Sequence, residues 1–101
     1  MKDSTYHHFF MNLANPLKIN IILDLRDREK SVTELSKSLK VEQSKISHAL
    51  SSLRCCNIVK VKQKGKKRIY YLNKNTIIPM LRLIDKHADT YCKSKCNLLK
   101  K

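Results

Sequence analysis

The sequence predicts a mainly α-helical domain of about five helices with one small β-hairpin. Apolar residues recur at helical spacing through most of the 101 residues. In contrast, residues 58–62 alternate apolar and basic side chains, as a strand does. The single glycine, Gly65, follows in a basic turn, and residues 68–72 supply the returning strand. A chain of this length makes one domain, so we assign 1–101 to a single unit.

The charge of the chain points to a polyanionic partner. There are 22 Lys and Arg against 8 Asp and Glu, a net charge of +14, which exceeds what solubility requires. The sequence has no transmembrane run and no signal-peptide pattern, so we expect a cytoplasmic location, reduced cysteines and no membrane partner. With one glycine, phosphate-cradling loops are not available. We therefore predict no cofactor and no enzyme activity.

A short first helix is predicted over about 6–14, where large apolar residues cluster. Phe9 and Phe10 are adjacent, so they point in different directions. A short helix at a chain end cannot easily bury both against its own domain. We therefore expect this helix to contact a second subunit.

Two further helices have recognisable starts. Asn15 is a good N-cap and Pro16 suits the first helical position. The residues of this helix expected to face inward are Ile19, Ile22 and Leu23. Ser31 and Glu34 form a capping-box pattern that opens the next helix. Its expected buried stripe is Val32, Leu35 and Leu39.

Residues 43–54 predict an amphipathic helix whose two faces differ in chemistry. The apolar stripe, spaced by three and four residues, is Ile46, Ala49, Leu50 and Leu53. The opposite face carries Gln43, Ser44, Ser47, His48 and Ser51. Serine and histidine are poorer helix formers than the charged residues of a usual solvated face, but short polar side chains allow close approach to base edges in a major groove. An ordinary surface helix is the alternative interpretation.

The two helices on either side of the turn 39–42 match a helix-turn-helix, and the hairpin after them matches a wing. Six basic residues and no acidic one lie between positions 60 and 68. A solvated hairpin would mix charges of both signs, whereas a wing against phosphate would not. The residues predicted to reach base edges or nearby phosphates are Gln43, Ser44, Ser47 and His48. Those predicted to neutralise phosphate are Lys45, Arg54, Lys64, Lys66, Lys67 and Arg68.

A last helix is predicted over about 77–95. Pro79 is tolerated only in a first turn, and a cap at Asn75 or Thr76 places it there. Apolar residues then follow at heptad-like spacings of four and three: Ile77, Leu81, Ile84, Ala88 and Tyr91. The alternative is packing on its own domain. Because the winged core has an apolar set of its own, we predict that this seam forms a homodimer interface with Phe9 and Phe10.

With these elements in place, the sequence resembles the ArsR-type winged helix-turn-helix transcriptional regulators. The similar segments are 13–19, 32–36, 43–54 and the wing 64–72. The resemblance covers roughly residues 9–95. It implies a symmetric dimer, the helix that begins at Gln43 in the major groove, and the wing on the backbone or minor groove.

This chain departs from the family pattern at the positions of the family's two metal sites. Two cysteines of the family's arsenic and cadmium motif correspond here to Ser36 and Ser38. The zinc and cobalt site needs Asp-x-His near the start of the last helix, where this chain has Asn and Thr within 73–76. Neither site is therefore predicted, and no small-molecule effector is evident. Many members also have glycine at the positions of Lys40 and Asn57; asparagine is a residue that replaces glycine in a left-handed C-cap.

The cysteines leave a sensor hypothesis open. Cys92 and Cys96 are spaced by four residues on the last helix, on the side that also carries Asp85 and Asp89. Such a stripe suits a thiophilic metal or a redox pair. In the alternative interpretation, the aspartates pair with nearby basic residues and Cys92 fills space.

A vicinal cysteine pair ends the helix that begins at Gln43. At 100° per residue, Cys56 lands nearer the core and Cys55 nearer the groove side. We therefore expect Cys56 to be structural and Cys55 to be exposed.

These predictions combine into a sequence-specific regulator, expected to be a repressor, that binds double-stranded DNA as a homodimer. Two alternatives stay open. One is an architectural protein that coats DNA without choosing a sequence, which the charge of +14 fits equally well. The other is a thiol- or metal-responsive regulator that uses Cys92 and Cys96. The ratio of specific to non-specific binding separates the regulator from the architectural protein.

Overall fold

The structure is a computed structural model that describes residues 2–92. In this part of the chain, the helices are α1 (Asp3–Ala14), α2 (Pro16–Asp27), α3 (Val32–Leu39), α4 (Gln43–Cys55) and α5 (Ile77–His87). Strands β1 (Val59–Lys64) and β2 (Lys67–Leu72) pair antiparallel and form the wing. The predicted mainly helical architecture with one hairpin is confirmed. Within residues 2–92, every helix is too short or too polar to cross a bilayer.

The starts of α2 and α3 follow the sequence signals. Asn15 Oδ1 accepts a hydrogen bond from the backbone N–H of Lys18 at 3.0 Å. The hydroxyl of Ser31 accepts one from the N–H of Glu34 at 3.2 Å, and the Glu34 carboxylate accepts one from the N–H of Ser31 at 3.0 Å. The latter bond holds the pKa of the Glu34 carboxyl below its usual value. The capping box is therefore complete.

The core lies between α2, α3, α4 and the inner face of the wing. All four residues of the predicted α4 stripe are buried: Ile46, Ala49, Leu50 and Leu53. Tyr70 and Leu72 of β2 pack into the same cluster, as does Ile77 at the start of α5. The hairpin and the helices therefore share one core.

The buried face of α2 differs from the predicted one. Ile21, Ile22 and Leu25 are buried, whereas Ile19 and Leu23 are 37% and 50% exposed. The prediction that Ile19 and Leu23 face inward was wrong. Apolar residues occupy so many positions of this segment that spacing does not select a face. Packing against α3 and α4 selects it instead.

The last helix begins where the sequence predicts but does not stay regular. Pro79 lies in the first turn of α5, after the N-cap Thr76. After His87 the backbone widens into a π-helical turn, Ala88–Cys92, instead of continuing as an α-helix. The predicted continuation over 93–95 lies outside the described residues.

Two residues other than glycine have left-handed backbone conformations within 2–92. Lys40, with φ of 58°, follows α3, and Asn57, with φ of 56°, follows α4. Beyond Lys40, the N–H of Val41 donates to the carbonyl of Ser36 at 3.2 Å. The hydroxyl of Ser36 donates to the carbonyl of Val41 at 2.5 Å. The tight turn between α3 and α4 therefore requires a backbone conformation that glycine adopts most readily.

A buried ion pair connects the wing to the helices. Lys30 Nζ lies 2.7 Å from Asp24 Oδ1 of α2, and the two side chains are 8% and 17% exposed. The backbone of Lys30 makes two hydrogen bonds with Tyr70 of β2, at 3.1 and 2.8 Å. Burial opposes ionisation of Asp24, but the hydrogen bond and charge of Lys30, together with the nearby Ser38 hydroxyl and the charge of Arg28, outweigh it and hold the pKa of the carboxyl below its usual value.

Lys40→Gly is expected to stabilise the protein by about 0.5–1 kcal/mol, because glycine adopts a φ near 60° without the Cβ clash. Urea denaturation measures the change in the free energy of unfolding. Lys37→Gly is the matched control, since glycine inside a helix is destabilising by about 1 kcal/mol. Equal effects of the two substitutions would contradict this explanation.

Asp24→Asn is expected to destabilise the protein by about 2 kcal/mol at neutral pH, because Lys30 then stays buried without a carboxylate. The pKa of Asp24 is lower in the folded state, so its stabilisation is present above the ordinary value of 3.8 and is lost as the pH falls through the folded pKa. Denaturation at a series of pH values should show the difference between wild type and variant shrinking in acid. A difference that does not change with pH would rule out the ion pair as its source.

Candidate nucleic-acid interface

Burial of the apolar stripe turns the polar face of α4 outward. The four residues predicted to reach base edges are all exposed: Gln43, Ser44, Ser47 and His48. The sequence of α4 contains no acidic residue. A helix with its side chains is about 10–12 Å across, close to the width of a B-DNA major groove. The exposed face of α4 therefore has the size and the hydrogen-bonding groups that reading base edges requires.

A cleft of about 590 Å³ lies between the tip of the wing, α3 and α4. The residues of this wing cleft that carry polar or charged side chains include Thr33, Glu34, Lys37, Ser47, Lys66, Lys67 and Arg68. The cleft unites a residue predicted to read bases, Ser47, with three residues predicted to neutralise phosphate. Sequence reasoning missed Thr33 in the first turn of α3 and Lys37 in its last turn, although the position of α3 directly before α4 was a usable signal.

A second cleft, of about 580 Å³, lies on the other flank of α4, against the start of α2. The residues that line this α2–α4 cleft are Asn15, Leu17, Lys18, Ser44, Lys45, His48 and Ala49. Lys45 and Ser47 are two residues apart, which places them about 160° apart around a helix. Helix α4 is thus flanked by one basic cleft on each side.

The remaining predicted phosphate contacts lie outside these clefts. Lys64 sits opposite Lys67 in the strand pairing, next to the turn at Gly65. Arg54 lines a hollow at the end of α4 together with Lys60. Arg54 therefore lies on α4 but outside both the wing cleft and the α2–α4 cleft.

Lys62 differs from the other basic residues of the wing. Its Nζ lies 2.7 Å from Glu29 Oε2 and 5.4 Å from the centre of the Tyr71 ring. The hydrogen bond from Lys62 holds the pKa of the Glu29 carboxyl below its usual value. The charge of Lys62 is therefore neutralised within the protein, unlike that of the wing tip.

A polar cluster joins α1, α2 and α4. The ammonium of Lys18 donates to Asn12 Oδ1 and to Ser52 Oγ, both at 2.9 Å, and the Ser52 hydroxyl donates to Asn12 Oδ1 at 2.8 Å. Asn12 Nδ2 donates to Cys56 Sγ at 3.1 Å. Sequence reasoning missed this cluster because its members come together only when the three helices pack.

The cysteines follow the predicted orientations where the structure describes them. Cys55 is exposed, Cys56 is half-buried, and both are free thiols. The side chain of Cys92 and all of Cys96 lie outside the described part, so that pair stays a prediction. Within residues 2–92, no three histidine, cysteine or acidic side chains are grouped to hold a metal ion.

The predicted dimer residues divide into two groups. Phe9 and Leu81 pack against the core of their own subunit, Ala88 is half-buried, and Ile77 is only 3% exposed. The exposed members of the predicted set are Phe10, Ile84 and Tyr91. Sequence reasoning missed further exposed apolar residues on α1, α2 and α5: Tyr6, Met11, Ile19, Leu23 and Leu83.

The helix-turn-helix, the hairpin beside it and the acid-free face of α4 define a winged helix-turn-helix domain. Residues 15–61 match the family model described as bacterial regulatory protein, arsR family. The chain belongs to the ArsR family, as the sequence resemblance predicted.

Three relatives agree with this assignment. The transcriptional repressor SmtB homolog of Synechocystis sp. is 32% identical over 79 residues, which cover 78% of this chain and 60% of that protein. The transcriptional activator HlyU of Vibrio cholerae is 30% identical over 82 residues, covering 81% and 73%. The crystal structure of Rv0081 from Mycobacterium tuberculosis has a TM-score of 0.81 at 28% identity, covering 91% of this chain and 93% of that one. The names of all three describe transcriptional regulators, since Rv0081 is described as an HTH-type transcriptional regulator.

Proposed function

We propose that this chain is a sequence-specific regulator that binds double-stranded DNA as a homodimer. The observation that carries the proposal is the position of α4, whose acid-free polar face lies between two basic clefts. Base edges are read by short polar side chains, and phosphates are held by the charges around them. The names of the relatives, a repressor and an activator, support a regulatory role.

Electrostatics favour DNA at this surface. The described residues that line the two clefts include one acidic residue, Glu34, and its carboxylate is already hydrogen-bonded to the backbone of Ser31. The basic side chains in the same clefts are Lys18, Lys37, Lys45, Lys66, Lys67 and Arg68. A surface of one sign attracts a polyanion and speeds its association.

The exposed apolar residues support a homodimer. The large apolar side chains that are exposed in the described chain lie on α1, α2, α5 and the π-helical turn that follows α5: Tyr6, Phe10, Met11, Ile19, Leu23, Leu83, Ile84 and Tyr91. Removing these apolar side chains from water by packing them against a partner would be favourable. A second copy would cover it through a symmetric interface and present two α4 helices to two half-sites of one operator. Ile77 is part of the subunit's own core, so we leave it out of the proposed interface.

The direction of regulation depends on the operator. Repression is the expected outcome where the operator overlaps the promoter.

The experiment that tests the proposal selects duplexes from a random pool, then compares the selected duplex with a shuffled one near physiological salt. A preference of at least about a hundredfold is expected for a specific regulator. Ser47→Ala should reduce this preference, because it removes a base contact. Lys66→Met should weaken binding to both duplexes alike and reduce the salt slope by about one unit. Equal affinity of the wild type for both duplexes would instead indicate an architectural protein.

Leu83→Lys is expected to shift the protein from dimer to monomer, because a charge at the proposed interface would lie against apolar surface. Sedimentation velocity at several protein concentrations measures the shift. The matched control is Lys86→Met on the same helix, which should not weaken the dimer. A Leu83→Lys variant that sediments as the wild type does would remove α5 from the interface.

A further inference from the structure

Another cleft, of about 460 Å³, lies between α1 and the end of α4. The lining of this α1–α4 cleft includes His8, Phe9, Asn12, Cys55 and Cys56. A cleft of this volume can hold a small organic molecule. Two thiols and an imidazole therefore surround one space that is large enough for a ligand, and the proposed DNA surface does not use it.

The orientation of the Asn12 amide in this cleft is fixed by its neighbours. Lys18 Nζ, which can only donate, lies 2.9 Å from Asn12 Oδ1, and the Ser52 hydroxyl donates to the same oxygen at 2.8 Å. The NH₂ group therefore faces the other way, where it donates to Cys56 Sγ at 3.1 Å. Asn12 is only 8% exposed, so little water competes for this donor. An N–H group that points at a sulfur atom stabilises the negative charge of an attacking thiolate.

The two neighbouring thiols have different surroundings. Cys55 is exposed, whereas Cys56 is half-buried and accepts the hydrogen bond from Asn12. Access to solvent alone would make Cys55 the faster thiol. Stabilisation of the thiolate by Asn12 favours Cys56 instead, so the two explanations predict opposite orders of reactivity.

The lining of the cleft indicates which kind of molecule would react with Cys56. Phe9 supplies an aromatic ring, and the described lining residues include no lysine, arginine or carboxylate. Such a lining favours a flat, uncharged molecule. Within residues 2–92, histidine, cysteine and acidic side chains are not grouped to hold a metal ion, whereas a carbon electrophile needs only one sulfur atom.

We propose that the α1–α4 cleft is a covalent binding site for small uncharged quinones, with Cys56 as the nucleophile and Asn12 as its positioning residue. The Cys56 sulfur forms a bond to a ring carbon, and the electron pair of the carbon–carbon double bond moves to a carbonyl oxygen. The thiol proton passes to that oxygen, and the imidazole of His8 in the same cleft is a group that can carry it. The proton of the attacked ring carbon then moves to the second carbonyl oxygen. The product is a thioether of the hydroquinone, so the quinone itself accepts the electrons and no other oxidant or reductant is needed.

A homodimer of the proposed kind would leave this cleft accessible. On α1, the lining residues Thr5, His8 and Asn12 are spaced by three and four positions and therefore share one face. The exposed apolar residues Tyr6 and Phe10 are spaced by four on a different face. The inference goes beyond the proposed function and does not depend on DNA binding.

The test measures labelling of the reduced protein by p-benzoquinone after the reductant has been removed. Trypsin releases residues 55–60 as one peptide, so mass spectrometry follows Cys55 and Cys56 separately from the cysteines near the C-terminus. Cys55→Ser leaves Cys56 as the single thiol of this peptide, and Cys56→Ser leaves Cys55. We expect Cys56 in the first variant to be labelled at least about tenfold faster than Cys55 in the second, as for a hydrogen bond to a charged group.

Asn12→Asp tests the positioning role with a side chain of the same shape. One carboxylate oxygen can still accept from Lys18 and Ser52, but the other then faces Cys56 in place of the N–H group. In the Cys55→Ser background this substitution should slow the labelling of Cys56 about tenfold. In the Cys56→Ser background, which is the matched control, it should leave the labelling of Cys55 unchanged. Far-ultraviolet circular dichroism checks that each variant is folded.

Two results would overturn the inference. In the first, Cys56 is labelled no faster than Cys55, as access to solvent alone predicts. In the second, Asn12→Asp slows neither thiol or slows both equally. Should Asn12→Asp fail to fold, the comparison of the two cysteine variants still decides. Because no DNA is present in these measurements, their outcome is separate from that of the proposed function.

Discussion

Burial of one apolar stripe on α4 determines which side chains of this helix face the solvent. Removing a large aliphatic side chain from water contributes about 1.5–3 kcal/mol, and three such residues of α4, Ile46, Leu50 and Leu53, are almost fully buried. This fixes the rotation of α4 about its axis. Because the polar residues are interleaved with the apolar ones, the same rotation presents Ser44 and His48 to solvent. Any other rotation would bury polar groups without partners.

The acidic residues divide the basic ones into two sets. Lys30 is neutralised by Asp24, Lys62 by Glu29 and Arg26 by Asp85, and each of these pairs joins two segments of the fold. The basic residues of the two clefts have no ion-pair partner among residues 2–92. The basic residues that form ion pairs are therefore different from those that line the two clefts, which the proposed function assigns to phosphate. Positive charge that is not paired with an acidic residue of the described chain therefore lies in the two clefts beside α4.

The departures from prediction have a common physical origin. On α2, apolar residues surround the helix, so only its neighbours decide that Ile21 is buried and that Ile19 is exposed. The predicted seam of α5 divides in the same way, since Ile77 enters the core while Ile84 stays exposed. Periodicity shows that a helix has an apolar face. It does not show which partner covers that face when several are near.

The sequence by itself determined the features that depend on near neighbours in the chain. The capping box at Ser31, the proline in the first turn of α5 and the stripe of α4 each involve residues a few positions apart. Only the tertiary structure decided the two clefts and the Lys18 cluster, in which Asn12 bonds a residue 44 positions away. The reason is that local hydrogen bonds and spacing act within one element. A site built from several elements exists only after their packing has set the distances between them.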